Sequence, residues 1–359
     1  AEFRRGDFYD LKDLNLQRDE VLRGLIHVYQ YWIAVTDCDG FRVDAVKHVP
    51  LEQARRFCIA IHEYAQAIGK DNFLLAGDVS QDGIAPSSAA LLERNLDAAL
   101  GLAEYSNRLA DLVKGIRPPN DFFALYTQEA LGAAYRQLGR YLIAILDDHD
   151  MSSRAYKARF AAETRTPNLA EQTAHAVAVQ LTVPGIPAIY YGTEQAFDGS
   201  EAYHDYEAEP RRYAEDRYVR EAMFGGEFGA FGTRGCHFFN PNHPTYLRSA
   251  AIARLRNRQD QIGRTLRRGH LYPRETAFGE RSFAFYGPGE IAAWSQILFD
   301  TELLMALNTH ITESRRAERE AHTLSRVASS LGAGASVYEA SSAIARWVVK
   351  PSGAAAAAV

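Results

Sequence analysis

Between residues 40 and 192, strand-length apolar runs alternate with helical spacings, and this alternation constrains the fold more than any other feature. The strand-like runs are 40–46, FLLAGDV (73–79), LDAALGLAEY (96–105), YLIAILDD (141–148) and IPAIYYG (186–192). Helical spacing places Val21, Leu22, Leu25, Ile26, Tyr29 and Trp32 on one face within 19–35. It does the same for Leu51, Ala54, Cys58, Ile61, Ala65 and Ile68, with Gly69 closing the helix. Further helices are expected around Leu109 to Val113 and from Leu169 to Leu181. Strand followed by helix, repeated, implies an α/β fold with a parallel sheet covered on both faces. Carboxylates recur at the C-terminal ends of these runs, where a (β/α) barrel keeps its active site.

The first run, GFRVDAVKH from Gly40 to His48, carries two charges in what reads as a short buried strand. Residues two apart on a strand share a face, so Arg42 and Asp44 point one way and Phe41, Val43 and Ala45 the other. Burying such a pair is costly unless the charges are partnered. A carboxylate kept ionised beside an arginine suits a nucleophile, and a purely structural Arg–Asp pair is the plain alternative.

These nine residues resemble the nucleophile strand of the α-amylase family of glycoside hydrolases and transglycosidases. Four other segments resemble that family in matching order. They are LKDLN (11–15), FLLAGDVS (73–80), AILDDHD (144–150) and GIPAIYYGTE (185–194). The resemblance covers about residues 7 to 310. It implies a (β/α)8 TIM-barrel catalytic domain, of which strands four to eight are present and the first part is missing, followed by a β-sandwich. The implied boundaries are 1–18 for the end of an inserted domain, 19–268 for the partial barrel, 269–350 for the sandwich and 351–359 for a tail. FAFYG, IAAWSQIL and ELLMALNTH are the sandwich strands expected from alternation and turn residues. Tyr246 to Arg258 reads as a helix with Leu247, Ala250, Ala251, Ala253 and Leu255 as its apolar residues. The long segment 193–250 should rim a cleft, and its Arg220-Glu221-Ala222-Met223-Phe224 loosely resembles a family loop.

The chemistry implied by the resemblance is retaining cleavage of α-glucosidic bonds in α-glucans or oligosaccharides, with transglycosylation as a variant. Asp44 would be the nucleophile, Asp78 the acid/base and Asp150 the transition-state stabiliser. Arg42 and His149 would orient sugar and nucleophile, and Lys47 and His48 would line the acceptor side. Asp78 departs from the family, which has glutamate there. A carboxyl set back by about 1 Å costs on the order of 100-fold in rate. Asp82 on the following loop is a poor substitute. A catalytically impaired glucan-binding or scaffold relative is therefore the competing reading. No organic cofactor is implied. Calcium is an option, because many family members hold it on the backbone carbonyl matching His48, and Asp7 or Asp10 would then contribute. A missing N-terminal segment or a second chain completing the barrel is the implied protein partner.

Composition excludes other classes. A net charge of −5 without a basic stripe argues against nucleic acid, and no apolar run reaches membrane-spanning length. A soluble protein is expected, with its compartment open and no signal peptide pattern visible. Cys38, Cys58 and Cys236 are too few and too widely spaced for a disulfide framework or a zinc site. His62-Glu63 lacks the second histidine of a metalloprotease helix, and Gly332-Ala333-Gly334 lacks the context of a dinucleotide loop.

Overall fold

A computed structural model describes residues 13–81, 93–127, 138–150, 158–163, 169–199, 219–220, 223, 239–277 and 280–310. It divides into two units, Ala1–Glu104 with Gln128–Ala144, and Tyr105–Thr127 with Ile145–Val359.

In the first unit, helix α1 (Asp19–Thr36) opens with Asp19 and Glu20, acids that suit the positive end of the helix dipole. It ends where Asp37 takes a left-handed φ of 55°. Leu22, Ile26 and Ile33 are buried. Trp32, expected on that face, is instead 48% exposed, because it falls on a second apolar stripe with Val28, Tyr31 and Val35. Those four sit at the i, i+3, i+4, i+7 spacing of one helix face.

Strand β1 (Gly40–Val43) follows, and Lys70 pins the chain that leads into it by pairing with Asp37 at 2.7 Å and Asp39 at 2.9 Å. Helix α2 (Leu51–Ala67) buries Ala54, Cys58, Ile61 and Ala65, and Gly69 accepts the positive φ that ends it. Cys58 is a core residue as expected. Burial pushes its thiol up to about 12, with Asp97 contributing, so it stays protonated and unreactive.

Strands β2 (Leu74–Gln81) and β3 (Ala98–Leu102) complete a parallel sheet in the order β1-β2-β3. Leu142, just before β4 (Ile143–Ile145), makes a parallel bridge to Ala99 on the far side of β3. Gly40 lies opposite Leu74, and an added Cβ would come 2.5 Å from the Leu74 carbonyl. Gly40→Ala is therefore expected to cost about 1–3 kcal/mol by overpacking. Chemical denaturation checks this, and an unchanged midpoint would mean that β1 and β2 separate freely at that end.

The expected strand 40–46 is corrected in length and burial. β1 stops at Val43, and its residues are half-buried or exposed. It is an edge strand, with no strand on its outer side among the described residues, so one face and one edge lack cover. Phe41 still packs inward, edge-on to Tyr29 and Phe73, while Ala45 is exposed and does not join it.

The second unit holds most of α3 (Ala103–Val113), then α4 (Pro119–Phe123), α5 (Leu169–Thr182), β5 (Ile186–Ala188), α6 (Pro244–Arg256) and α7 (Gln261–Arg268). α5 is buried on almost every side from Gln172 to Thr182, and its Val177 and Leu181 pack on Ile252 of α6. The face expected for α6 is corrected: Thr245, Ser249, Ile252 and Arg256 are buried, and Leu247 is 48% exposed. For Thr245 and Arg256 the reason is hydrogen bonding. The Arg256 guanidinium donates to the carbonyls of Leu181 (2.8 Å), Leu266 (3.0 Å) and Gly185 (3.3 Å), and Thr245 Oγ1 donates to Ala170 (2.8 Å). Polar groups with partners of this kind are buried without the usual penalty.

β6 (His270–Arg274), β7 (Ile291–Leu298) and β8 (Thr301–Asn308) form an antiparallel sheet in that order. β7 is central and buried from Ile291 to Gln296, with Trp294 packed on Phe123 and Gln296 Nε2 donating to Thr182 O at 3.0 Å. IAAWSQIL and ELLMALNTH are thus strands as read. FAFYG is not; among the described residues it makes only the Thr276–Ala284 bridge, and Phe283 and Phe285 are exposed. Residues 311–350, assigned to the same sandwich, lie outside the described residues.

Candidate active site

In the first unit the site grows from the parallel register. Arg42 lies opposite Ala76, so Asp78, two residues further along β2, faces the same side. The Arg42 guanidinium takes both carboxylates. Nη1 pairs with Asp44 Oδ1 at 2.8 Å, and Nη2 pairs with Asp78 Oδ2. The Asp78 side chain is 14% exposed and that of Asp44 is 73% exposed. Asp78 also marks a break in regular pairing, since the β2–β3 register shifts between Asp78 and Gln81.

Asp44 was expected within a strand and is found in the turn beyond it. Ala45 has a left-handed φ of 48°, and a 3-10 turn over Val46–His48 follows. A positive φ at alanine costs about 1–2 kcal/mol, so this bend is held by its surroundings. Buried Val46 anchors it, and its carbonyl accepts from Arg94 Nε at 3.3 Å. Lys47 and His48 follow Asp44 on this turn.

In the second unit the chain passes β4 and enters Asp147-Asp148-His149-Asp150. Strand geometry stops at Ile145, although the apolar run suggested it would reach Asp148. Asp147 takes over as an anchor. It is buried, its Oδ1 accepts from Phe160 N at 2.7 Å, and its Oδ2 accepts from Thr193 Oγ1 at 3.0 Å. His149 then sits between two acids, with Nδ1 2.6 Å from Asp148 Oδ1 and Nε2 3.2 Å from Asp150 Oδ2. Arg220 closes the group. Its Nη2 lies 3.2 Å from Asp150 Oδ1 and its Nε donates to His149 O at 3.2 Å.

Arg42, Asp44 and Asp78 are therefore brought together in one unit, and His149 and Asp150 are gathered around Arg220 in the other. Asp147 was not singled out from the sequence; its only signal there is the extra acid before Asp148. Arg220 was visible only as a loose loop resemblance. Asp82, Asp7, Asp10 and Cys236 lie outside the described residues. Among the described residues no cluster of three or more His, Cys, Asp and Glu side chains fits a metal ion. The calcium option, on the His48 backbone carbonyl with Asp7 or Asp10, rests in part on residues outside those described. No described helix is long and apolar enough to cross a membrane.

Residues 3–72 match the family model described as the α-amylase catalytic domain. An α-amylase of Streptomyces lividans is 27% identical over 267 residues, covering 70% of this chain and 27% of that protein. A cyclomaltodextrin glucanotransferase of Paenibacillus macerans is 30% identical over 196 residues, covering 54% of this chain and 25% of that protein. Matches of three kinds then agree, because the fold is shared too. The α-amylase of Geobacillus thermoleovorans, solved with acarbose, superposes with a TM-score of 0.60 at 22% identity, over 86% of this chain and 57% of that one.

The chain is similar to the α-amylase family in sequence and in fold. It spans about a quarter of the length of the curated family relatives named above. An α-amylase and a glucanotransferase both appear among the matches, so the similarity by itself does not choose between water and a sugar as acceptor.

Proposed function

We propose that the protein to which this chain belongs cleaves α-glucosidic bonds of α-glucans or oligosaccharides with retention of configuration, and that residues 19–268 supply strands four to eight of its barrel. The observation that carries this reading is one guanidinium holding two carboxylates, one from the turn after β1 and one from the neighbouring parallel strand β2. A retaining mechanism needs two carboxyl groups about 5–5.5 Å apart, and a shared arginine keeps two acids at short range.

In this reading the exposed Asp44 attacks the anomeric carbon as Asp78 protonates the departing glycosidic oxygen. The covalent glycosyl-enzyme is then opened by water, from which Asp78 removes a proton. Asp150, oriented by His149 and Arg220, favours the oxocarbenium-like transition state through the sugar hydroxyls. Lys47 and His48 face the acceptor. A sugar hydroxyl in place of water gives transfer by the same steps. The test is sugar release by the full-length protein from starch, maltodextrin, sucrose and trehalose, with the anomer of the first product read by NMR. Release of the α-anomer supports the reading. Release of the β-anomer, or no cleavage and no transfer on any of the four, overturns it.

A second reading is favoured by one observation: residue 78 is the shorter acid and its Oδ2 is engaged by Arg42. A glucan-binding relative would show saturable binding of maltooligosaccharides without turnover.

We also propose that a further N-terminal segment or a second chain covers α1 and the free edge of β1. The support is the exposed stripe of Val28, Tyr31, Trp32 and Val35 beside an edge strand. This chain by itself is expected to bind a hydrophobic dye strongly and to associate. A cooperative monomer with low dye binding would contradict that.

A further inference from the structure

Arg159 is fully buried, an unusual place for a guanidinium, and it belongs to no segment that the family resemblance uses. It is enclosed by the rings of Tyr190 (5.0 Å), Tyr191 (5.3 Å) and Phe197 (5.6 Å). Its Nη1 donates to the Tyr191 carbonyl at 3.0 Å and its Nη2 to the Val219 carbonyl at 3.0 Å. The Val219 carbonyl accepts a second bond, from the Tyr190 hydroxyl at 2.9 Å. Val219 itself is fully buried. Two donors therefore fix one peptide, and the next residue along the chain is Arg220, which reaches His149 O and Asp150 Oδ1.

We propose that Arg159 and Tyr190 are positioning residues that lock the Val219 carbonyl and so hold the Arg220 guanidinium on Asp150. The proposal rests on the reading of Asp150 as the transition-state stabiliser. The peptide after a doubly bonded carbonyl has little freedom to rotate. Arg220 and Asp150 are both substantially exposed, and an exposed ion pair is weak when its partners are mobile. A rigid root makes the contact persistent. Burial raises the Tyr190 phenol far above its ordinary value, so the hydroxyl remains a donor throughout the working pH range. Arg159 brings charge as well as geometry, and charge-assisted bonds are the stronger kind.

The experiment is a double-mutant cycle in the full-length protein with Tyr190→Phe and Arg220→Ala, plus a crystal structure of Tyr190→Phe. Tyr190→Phe deletes one hydroxyl and leaves the ring packed on Arg159, so folding is preserved. The expected result is a fall in kcat on an α-glucan of about tenfold with KM little changed. In the Arg220→Ala background the same change should have no further effect on kcat. The crystal structure should show Arg220 displaced from Asp150. Arg159→Lys, which keeps the charge but lacks the reach and the fixed fork of the guanidinium, should behave like Tyr190→Phe. Additive losses of kcat in the cycle, or Arg220 unmoved on Asp150 in the variant structure, would overturn the proposal. Absence of any turnover by the unmutated protein would instead overturn the glycosidase reading, and the position of Arg220 in the variant crystal would still decide this one.

Discussion

Asp44→Asn is expected to abolish sugar release, by on the order of 10⁴-fold or more, and to leave the fold intact. An amide cannot form the glycosyl-enzyme, so the loss appears in kcat and not in substrate affinity. The small structural cost follows from the location of Asp44. Its side chain is 73% exposed in a turn, and it pairs with Arg42 at 2.8 Å. A pair this exposed contributes about 0–1 kcal/mol. Arg42 also keeps Asp78, so no stranded charge is left behind. Three measurements check the expectation. Kinetics on a maltooligosaccharide should show the collapse in turnover, and thermal unfolding should show a midpoint close to that of the parent. Mass spectrometry of a trapped glycosyl-enzyme should place the sugar on the peptide containing Asp44. Activity near the parent level would assign the nucleophile to another residue.

Asp78→Glu is expected to raise the rate on α-glucans by about tenfold or more, which needs roughly 1.4 kcal/mol off the barrier. The added methylene carries the carboxyl about 1 Å further from β2, and displacements of that size are worth on the order of 100-fold in a reacting geometry. Acid catalysis matters most where the leaving group is a sugar hydroxyl and least where it is an activated phenol. The gain on an aryl glucoside should therefore be smaller than on a glucan. The side chain has a firm base from which to extend, being only 14% exposed and paired with Arg42. Rates that stay equal on both substrate classes, before and after the change, would remove residue 78 from acid/base duty. That outcome would favour the glucan-binding reading.

Local periodicity carried much of this architecture. The 3.6-residue spacing set α1, α2 and α5 to within a residue or two of their observed ends. Continuous apolar runs marked β2 and β3 as members of a parallel sheet. Such features are legible because each depends on neighbours within one turn or one pleat. The closeness of Arg42 and Asp44 was legible for the same reason, since they are two residues apart.

What tertiary structure decided involves partners distant in sequence. Asp44 leaves the strand because Ala45 bends backwards over buried Val46, and no alternation pattern records a single left-handed residue. Asp78 meets Arg42 only because the register sets Arg42 opposite Ala76; a slip of one residue would turn Asp78 to the other face. Arg256 is buried on α6, where the apolar pattern favoured Leu247, because three carbonyls from other segments accept its protons. Arg220 reaches Asp150 across 70 residues of chain, by way of a peptide gripped by Arg159 and Tyr190. Charged side chains go where acceptors converge, and that convergence exists only once the chain has folded.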